Sequence, residues 1–151
     1  AIKRIKKFDN EKLFRAIILS CLITIYIKSF TGVLSPICGS GVAAGAAVSG
    51  AITYMMGGTL NQIKIAINNS IGTLAGMVCD GGKRGCALKI SGAVSIAVEG
   101  ALLALRNISI PDKDGIVRKN AEDTIKNLGY LSNKGMALVD NCIIDILSNK
   151  Q

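Results

Sequence analysis

Apolar positions recur at helical spacing along nearly the whole chain, and convincing two-residue alternation is scarce, so the pattern predicts helices and few strands. The first predicted helix covers residues 10–30, with Asp9 or Asn10 as its cap and Gly32 near its end. Pro36 then breaks the chain. A second helix begins just after Cys38 and runs to about Met56, where Gly57 and Gly58 stop it. Thr59, with Gln62 three residues on, has the spacing of a capping box and opens a third helix over residues 60–78. That helix is expected to deliver Cys79 at its end. After a glycine-rich loop, a fourth helix spans residues 86–105, and Pro111 marks a loop over 107–115.

The tail differs in character. From Val117 to Asn149, charged and apolar residues alternate at helical spacing, interrupted near Gly129 and Ser132. Two amphipathic helices there would cover the core or form a separate lid. The predicted fold is all-α: a compact bundle of about five to seven helices, some of them Gly/Ala-rich and buried. The chain reads as one domain over residues 1–151, with a basic lead-in over 1–8 and amphipathic tail helices over 112–151.

Composition sharpens this picture. Half of the 151 residues are apolar, yet there are three Phe, three Tyr and no Trp, so Ala, Ile, Leu and Val must fill the core. Gly45, Gly50, Gly72, Gly76, Gly92 and Gly100 fall inside predicted helices, where each costs roughly 1 kcal/mol relative to Ala. Either they allow backbones to approach closely, or they leave room for an inserted inorganic group. The uncharged stretch over residues 40–58 is long enough to span a bilayer, but Gly and Ala supply little transfer energy. The run AIILSCLITIYI, residues 16–27, is too short. No membrane association is expected.

The net charge of +8 is unevenly spread: residues 1–15 carry six Lys or Arg against two acids, whereas residues 112–151 carry six of each. Nucleic-acid binding would require a dense basic stripe with aromatic platforms, and neither is present. The first residue is Ala and no export signal opens the chain, so the sequence reads as a piece of something longer.

With no histidine, the chain has no Ser-His-Asp triad, His-paired cysteine nucleophile or mixed His/Cys zinc site. No phosphate-binding glycine motif lies behind a strand. Five cysteines remain. Cys21 and Cys142 sit in apolar runs and read as small core residues. Cys38 lies at a predicted helix start, and Cys79 and Cys86 close the ends of the loop CDGGKRGC. A disulfide, a zinc site and an iron–sulfur site compete for these three. The odd cysteine total and the missing export signal argue against a disulfide. Two of the five cysteines are misplaced for a four-ligand structural zinc site, while three thiolates with an open fourth position suit an iron–sulfur cluster. Helix N-termini at Cys38 and Cys86, with Lys83 and Arg84 nearby, favour thiolates.

The segment AINNSIGTLAGMVCDGGKRGCALKISGAVSIAV, residues 66–98, resembles the signature of the L-cysteine desulfidase family, itself related to the alpha part of iron–sulfur L-serine dehydratases. The likeness extends upstream over residues 38–58 and downstream over 114–147. It implies a cytoplasmic lyase holding a [4Fe-4S] cluster with one open iron on Cys38, Cys79 and Cys86, without pyridoxal phosphate. It also implies α,β-elimination of L-cysteine to pyruvate, ammonia and sulfide, the close spacing of Cys79 and Cys86 favouring this branch over serine dehydration. Family members are longer, and their proposed base is a cysteine in an N-terminal portion with no counterpart here. The implied partners are that missing N-terminal portion and a small amino-acid substrate; a homo-oligomer is compatible with the sequence.

Other polar residues have two readings each. Asn68 and Asn69 orient a substrate carboxylate or bond to backbone; Asp80 braces its loop or touches substrate. Ser40 bonds a sulfur or caps a helix. Lys83 and Arg84 attract a carboxylate or are solvated, and Lys89 reads as a rim charge. The contrasting class is a non-catalytic helical assembly module for which the cysteines are dispensable.

Overall fold

A computed structural model describes residues 8–149. The lead-in over residues 1–7 and the last two residues lie outside the described part. Six α-helices and no strand form the described chain. They are α1 (Asn10–Thr31), α2 (Ala44–Met55), α3 (Leu60–Leu74), α4 (Gly85–Leu105), α5 (Ala121–Tyr130) and α6 (Val139–Ser148). Two π turns, Gly39–Ala43 and Leu131–Gly135, lead into α2 and follow α5.

Local chemistry sets the boundaries. Asp9 accepts the Lys12 amide at 2.6 Å to start α1, and Gly32, at φ +90°, ends it. The capping box at Thr59 and Gln62 is complete, and the Gln62 Nε2 also donates to the Leu105 carbonyl at 3.0 Å, tying the start of α3 to the end of α4.

The third helix is shorter than expected. It stops at Leu74 because residues 75–79 turn to pair with the segment after Pro36 through a single antiparallel bridge, Ile37 to Val78. The Cys38 amide donates to the Met77 carbonyl at 2.8 Å, and the Cys79 amide to Pro36 at 2.6 Å. Cys79 is therefore presented by a paired extended segment rather than by a helix end.

Helix α2 packs against α1, α3 and α4, and α3 packs against α4. The contact stripe of α4 is Ala93, Ala97, Gly100, Ala101 and Ala104, so large side chains come from elsewhere: Ile27, Val42, Ile71 and Leu128 are fully enclosed. Four of the six glycines singled out by position are close-approach points. A Cβ at Gly45 would stand 3.2 Å from Leu74, one at Gly50 3.3 Å from Ile23, one at Gly72 2.7 Å from Ile110, and one at Gly100 3.0 Å from the Ser70 hydroxyl. Tight helix packing accounts for Gly45, Gly50 and Gly100, and packing against the connection between α4 and α5 for Gly72. Gly76, which lies in the turn after α3, and Gly92 face open space.

Helix α5 covers α1 and α3, burying Ala121, Thr124, Ile125 and Leu128. Helix α6 buries nothing, contrary to the expectation that both tail helices cover the core. Cys21 and Cys142 are also exposed rather than buried: Cys21 lies at the rim where α1 meets α2, beside Val48 and Ile52, and Cys142 lies on α6, which has no buried residue. The open face of α1 is an apolar seam: Phe14, Ile18, Leu22 and Ile25 are each more than half exposed. Helices α1 and α4 are long and apolar enough to cross a membrane by length and composition, with 11% and 28% of their most apolar windows buried in the bundle. Their lengths come from the full helices, beyond the short apolar run that the sequence displays.

Candidate functional site

The bridge between Ile37 and Val78 places Cys38 and Cys79 directly after its two partners, and the loop that follows returns Cys86 at the start of α4. Each thiol has a different setting. Cys38 is buried and is itself the cap of the π turn: its Sγ accepts the Gly41 amide at 3.3 Å and lies 3.6 Å from the Ser40 hydroxyl. Ser40 thus touches the sulfur, and the thiol does the capping. A Cβ at Gly41 would collide with the Met77 sulfur and crowd that of Cys38 at 3.3 Å, so a larger residue there would force Met77 aside.

Cys86 is partly buried. Its Sγ lies 3.5 Å from both the Lys83 amide and the Gly81 carbonyl, which closes the loop on itself. Gly81, at φ +91°, makes the turn. Cys79 is exposed and lines a cavity of about 430 Å³ with Lys28, Ile37 and Gly39 on one side and Asp140, Ile143 and Leu147 of α6 on the other. The last helix, which covers no core, walls this cavity.

Asp80 bonds to both Lys83 and Lys89. Hydrogen bonds from Lys83 and then Lys89 hold its carboxyl far below the usual carboxylate range. Lys89 also donates to the Val78 carbonyl at 2.8 Å. Its pKa is raised, first by the hydrogen bond to Asp80 and also by the charge of that carboxylate, against a smaller lowering by desolvation. Lys83 and Arg84 are exposed on the loop.

Asn68 and Asn69 stand apart from the thiols. Asn68 Nδ2 donates to the Arg118 carbonyl at 2.8 Å. Asn69 Nδ2 donates to Ile108 at 3.0 Å, and its Oδ1 accepts the Ile110 amide at 2.8 Å. Both side chains brace the connection between α4 and α5. Asn69 also lines a separate cavity of about 270 Å³ with Thr73, Glu99 and Ser109.

Among the described residues, no three His, Cys, Asp or Glu side chains are gathered closely enough to hold a single metal ion. The sequence placed all three thiols at helix ends and a loop, but it did not reveal Lys89 as the residue that grips both flanks of Cys79. Its spacing from Cys86 was visible; its bond to Val78 was not.

Comparison with known proteins follows the same segments. Residues 1–145 match the family described as serine dehydratase alpha chain. A UPF0597 protein of Caldanaerobacter subterraneus subsp. tengcongensis is 51% identical over 144 residues, which is 95% of this chain and 34% of that protein. One from Clostridium tetani is 48% identical over 142 residues, 94% of this chain and 34% of its own length. Another from Desulfotalea psychrophila is 47% identical over 150 residues, 99% and 34% respectively. The chain thus spans about a third of the length of these curated relatives. No solved structure matches it.

Proposed function

The chain belongs to the serine dehydratase alpha chain family, and from that premise we propose that it is the thiolate-bearing domain of a cytoplasmic lyase that eliminates the β-substituent of a small amino acid, L-cysteine, to give pyruvate, ammonia and sulfide. The observation that supports this reading is the placement of Cys38 and Cys79 directly after the two partners of the Ile37–Val78 bridge, with Cys86 following at the start of α4. These cysteines are the ligands proposed for a [4Fe-4S] cluster. The donor chemistry fits: thiolates are the ligands such clusters take, and amides of Gly41 and Lys83 already point at two of the sulfurs. When bound, the cluster supplies a Lewis-acidic iron with an open position.

The residues of the chain supply the surroundings. Over residues 79–89, Lys83, Arg84 and Lys89 outnumber Asp80, giving a positive field that draws a substrate carboxylate. The cavity beside Cys79 offers a small amino acid a place against Gly39 and Gly81, with α6 as its outer wall. Elimination also needs a base for the α-proton, and the proposal assigns it to the remainder of a longer polypeptide. The relatives' greater length and the uncovered apolar seam of α1 support such a partner.

The test is anaerobic reconstitution with iron and sulfide. About four irons per chain and broad absorbance near ~400 nm are expected, with loss in Cys38→Ser, Cys79→Ser or Cys86→Ser. A chain that takes up no iron, alone or within the longer protein, refutes the cluster. A second reading, L-serine dehydration, is favoured by the description of the matched family; the short Cys79–Cys86 loop favours cysteine. Offering both amino acids to the longer protein and measuring sulfide and pyruvate separates them.

A further inference from the structure

Lys89 occupies a more central position than its place in the sequence suggests. It lies on α4 one turn after Cys86, and its ammonium reaches back to the two residues that flank Cys79, bonding the Val78 carbonyl and the Asp80 carboxylate. The segment it grips is the one paired with Cys38, through Cys38 N–H to Met77 and Cys79 N–H to Pro36. One side chain thus connects the helix carrying Cys86 to the extended pair carrying the other two thiols. We propose that Lys89 is the positioning residue of the three-thiol site, fastening the Cys79 segment to α4.

The chemistry of the ammonium suits this task. It has three donors, and two are directed at the flanks of Cys79, one to a neutral carbonyl and one to a carboxylate. Asp80 is shared with Lys83, so the clamp also fixes the turn through Gly81. The side chain is 24% exposed, so water competes less for these bonds than on an open surface. The inference rests on the proposed function only in taking the thiols as ligands; the clamp itself is a matter of backbone geometry.

Amide hydrogen exchange on the metal-free chain tests it. Lys89→Met should speed exchange at the Cys38 and Cys79 amides by about tenfold, the order expected when a charged hydrogen bond is lost, while amides inside α2 and α3 remain unchanged. Lys89→Arg keeps a charged donor and should retain most of the protection. After anaerobic reconstitution, iron per chain should fall in Lys89→Met and recover in Lys89→Arg. Equal exchange at both amides in Lys89→Met and the parent chain would overturn the proposal. Should Lys89→Met fail to fold, Asp80→Ala removes one of the two anchors and must still raise exchange at Cys79; no change there overturns the proposal equally. Exchange that responds to Lys89→Met, with no iron taken up by the parent sequence either alone or within the longer protein, leaves the clamp standing and defeats the cluster reading instead.

Discussion

The sulfur of Cys38 accepts the backbone amide of Gly41 at 3.3 Å, so a proposed metal ligand is also the cap of the turn that starts the second helix. Removing it has a structural effect as well as a chemical one. Cys38→Ala leaves the Gly41 amide without that acceptor and should lower stability by about 1 kcal/mol, whereas Cys38→Ser keeps an acceptor in place. Cys79, exposed and without a capping role, should tolerate Ala with little change in melting temperature. Thermal denaturation of the three metal-free variants measures this; equal losses for Cys38→Ala and Cys79→Ala would refute it.

Gly129 lies against the backbone of Phe30, where an added Cβ would stand 2.8 Å from the Phe30 carbonyl oxygen, the acceptor of Asn133 Nδ2 at 2.9 Å. Backbone cannot swing aside as a side-chain tip can. Gly129→Ala should therefore destabilise by about 1–3 kcal/mol and loosen the π turn from the end of α1. Gly92 faces open space inside α4, and Gly92→Ala should stabilise by up to ~1 kcal/mol. Urea midpoints of the two variants should move in opposite directions.

The hydrogen bonds that depress the Asp80 pKa make its contribution depend on pH with a defined sign. A carboxyl whose folded pKa is lowered stabilises fully above its unfolded value of about 3.9, and that stabilisation disappears as pH falls through the folded value. The melting-temperature gap between the parent chain and Asp80→Asn should be constant above pH ~5 and close progressively in more acidic solution. Because the pair is partly open to solvent, added salt should narrow the gap. A gap that does not vary between neutral and strongly acidic pH would contradict this assignment.

Gln62 serves two helices, accepting the Thr59 amide at 2.9 Å and donating to Leu105 at 3.0 Å. Gln62→Ala should cost about 1 kcal/mol. Gln62→Glu keeps the acceptor for Thr59 but turns a carboxylate toward the C-terminal carbonyls of α4, where the helix dipole is negative. It should recover little or none of the stability lost in the Ala variant, a result that equilibrium unfolding can read directly.

What the sequence disclosed depended on the range of the interactions involved. Asp9, Gly32, Thr59 and Gln62 act within one helical turn, and the ends they set follow from local spacing. The end of α3 at Leu74 depends on Ile37, so periodicity carried the predicted helix four residues too far. Cys21 and Cys142 were misread because their apolar neighbours identify a sticky face but not what covers it. The three thiols stand out in the sequence through their positions at breaks in the pattern. Lys89 does not, since a lysine one turn after Cys86 looks solvated until Val78 has been brought beside it.

The single bridge between Ile37 and Val78 also imposes an order in time. Roughly forty residues separate its partners, and the intervening stretch is the hairpin of α2 and α3, so loop closure is costly until those helices have packed. On a nascent chain, Cys38 emerges from the ribosome well before Cys79, and the two have no common neighbourhood until the hairpin has formed. Delivery of an inorganic cargo to all three thiols would therefore be a late event in the life of the polypeptide, dependent on a folded scaffold rather than a means of building one.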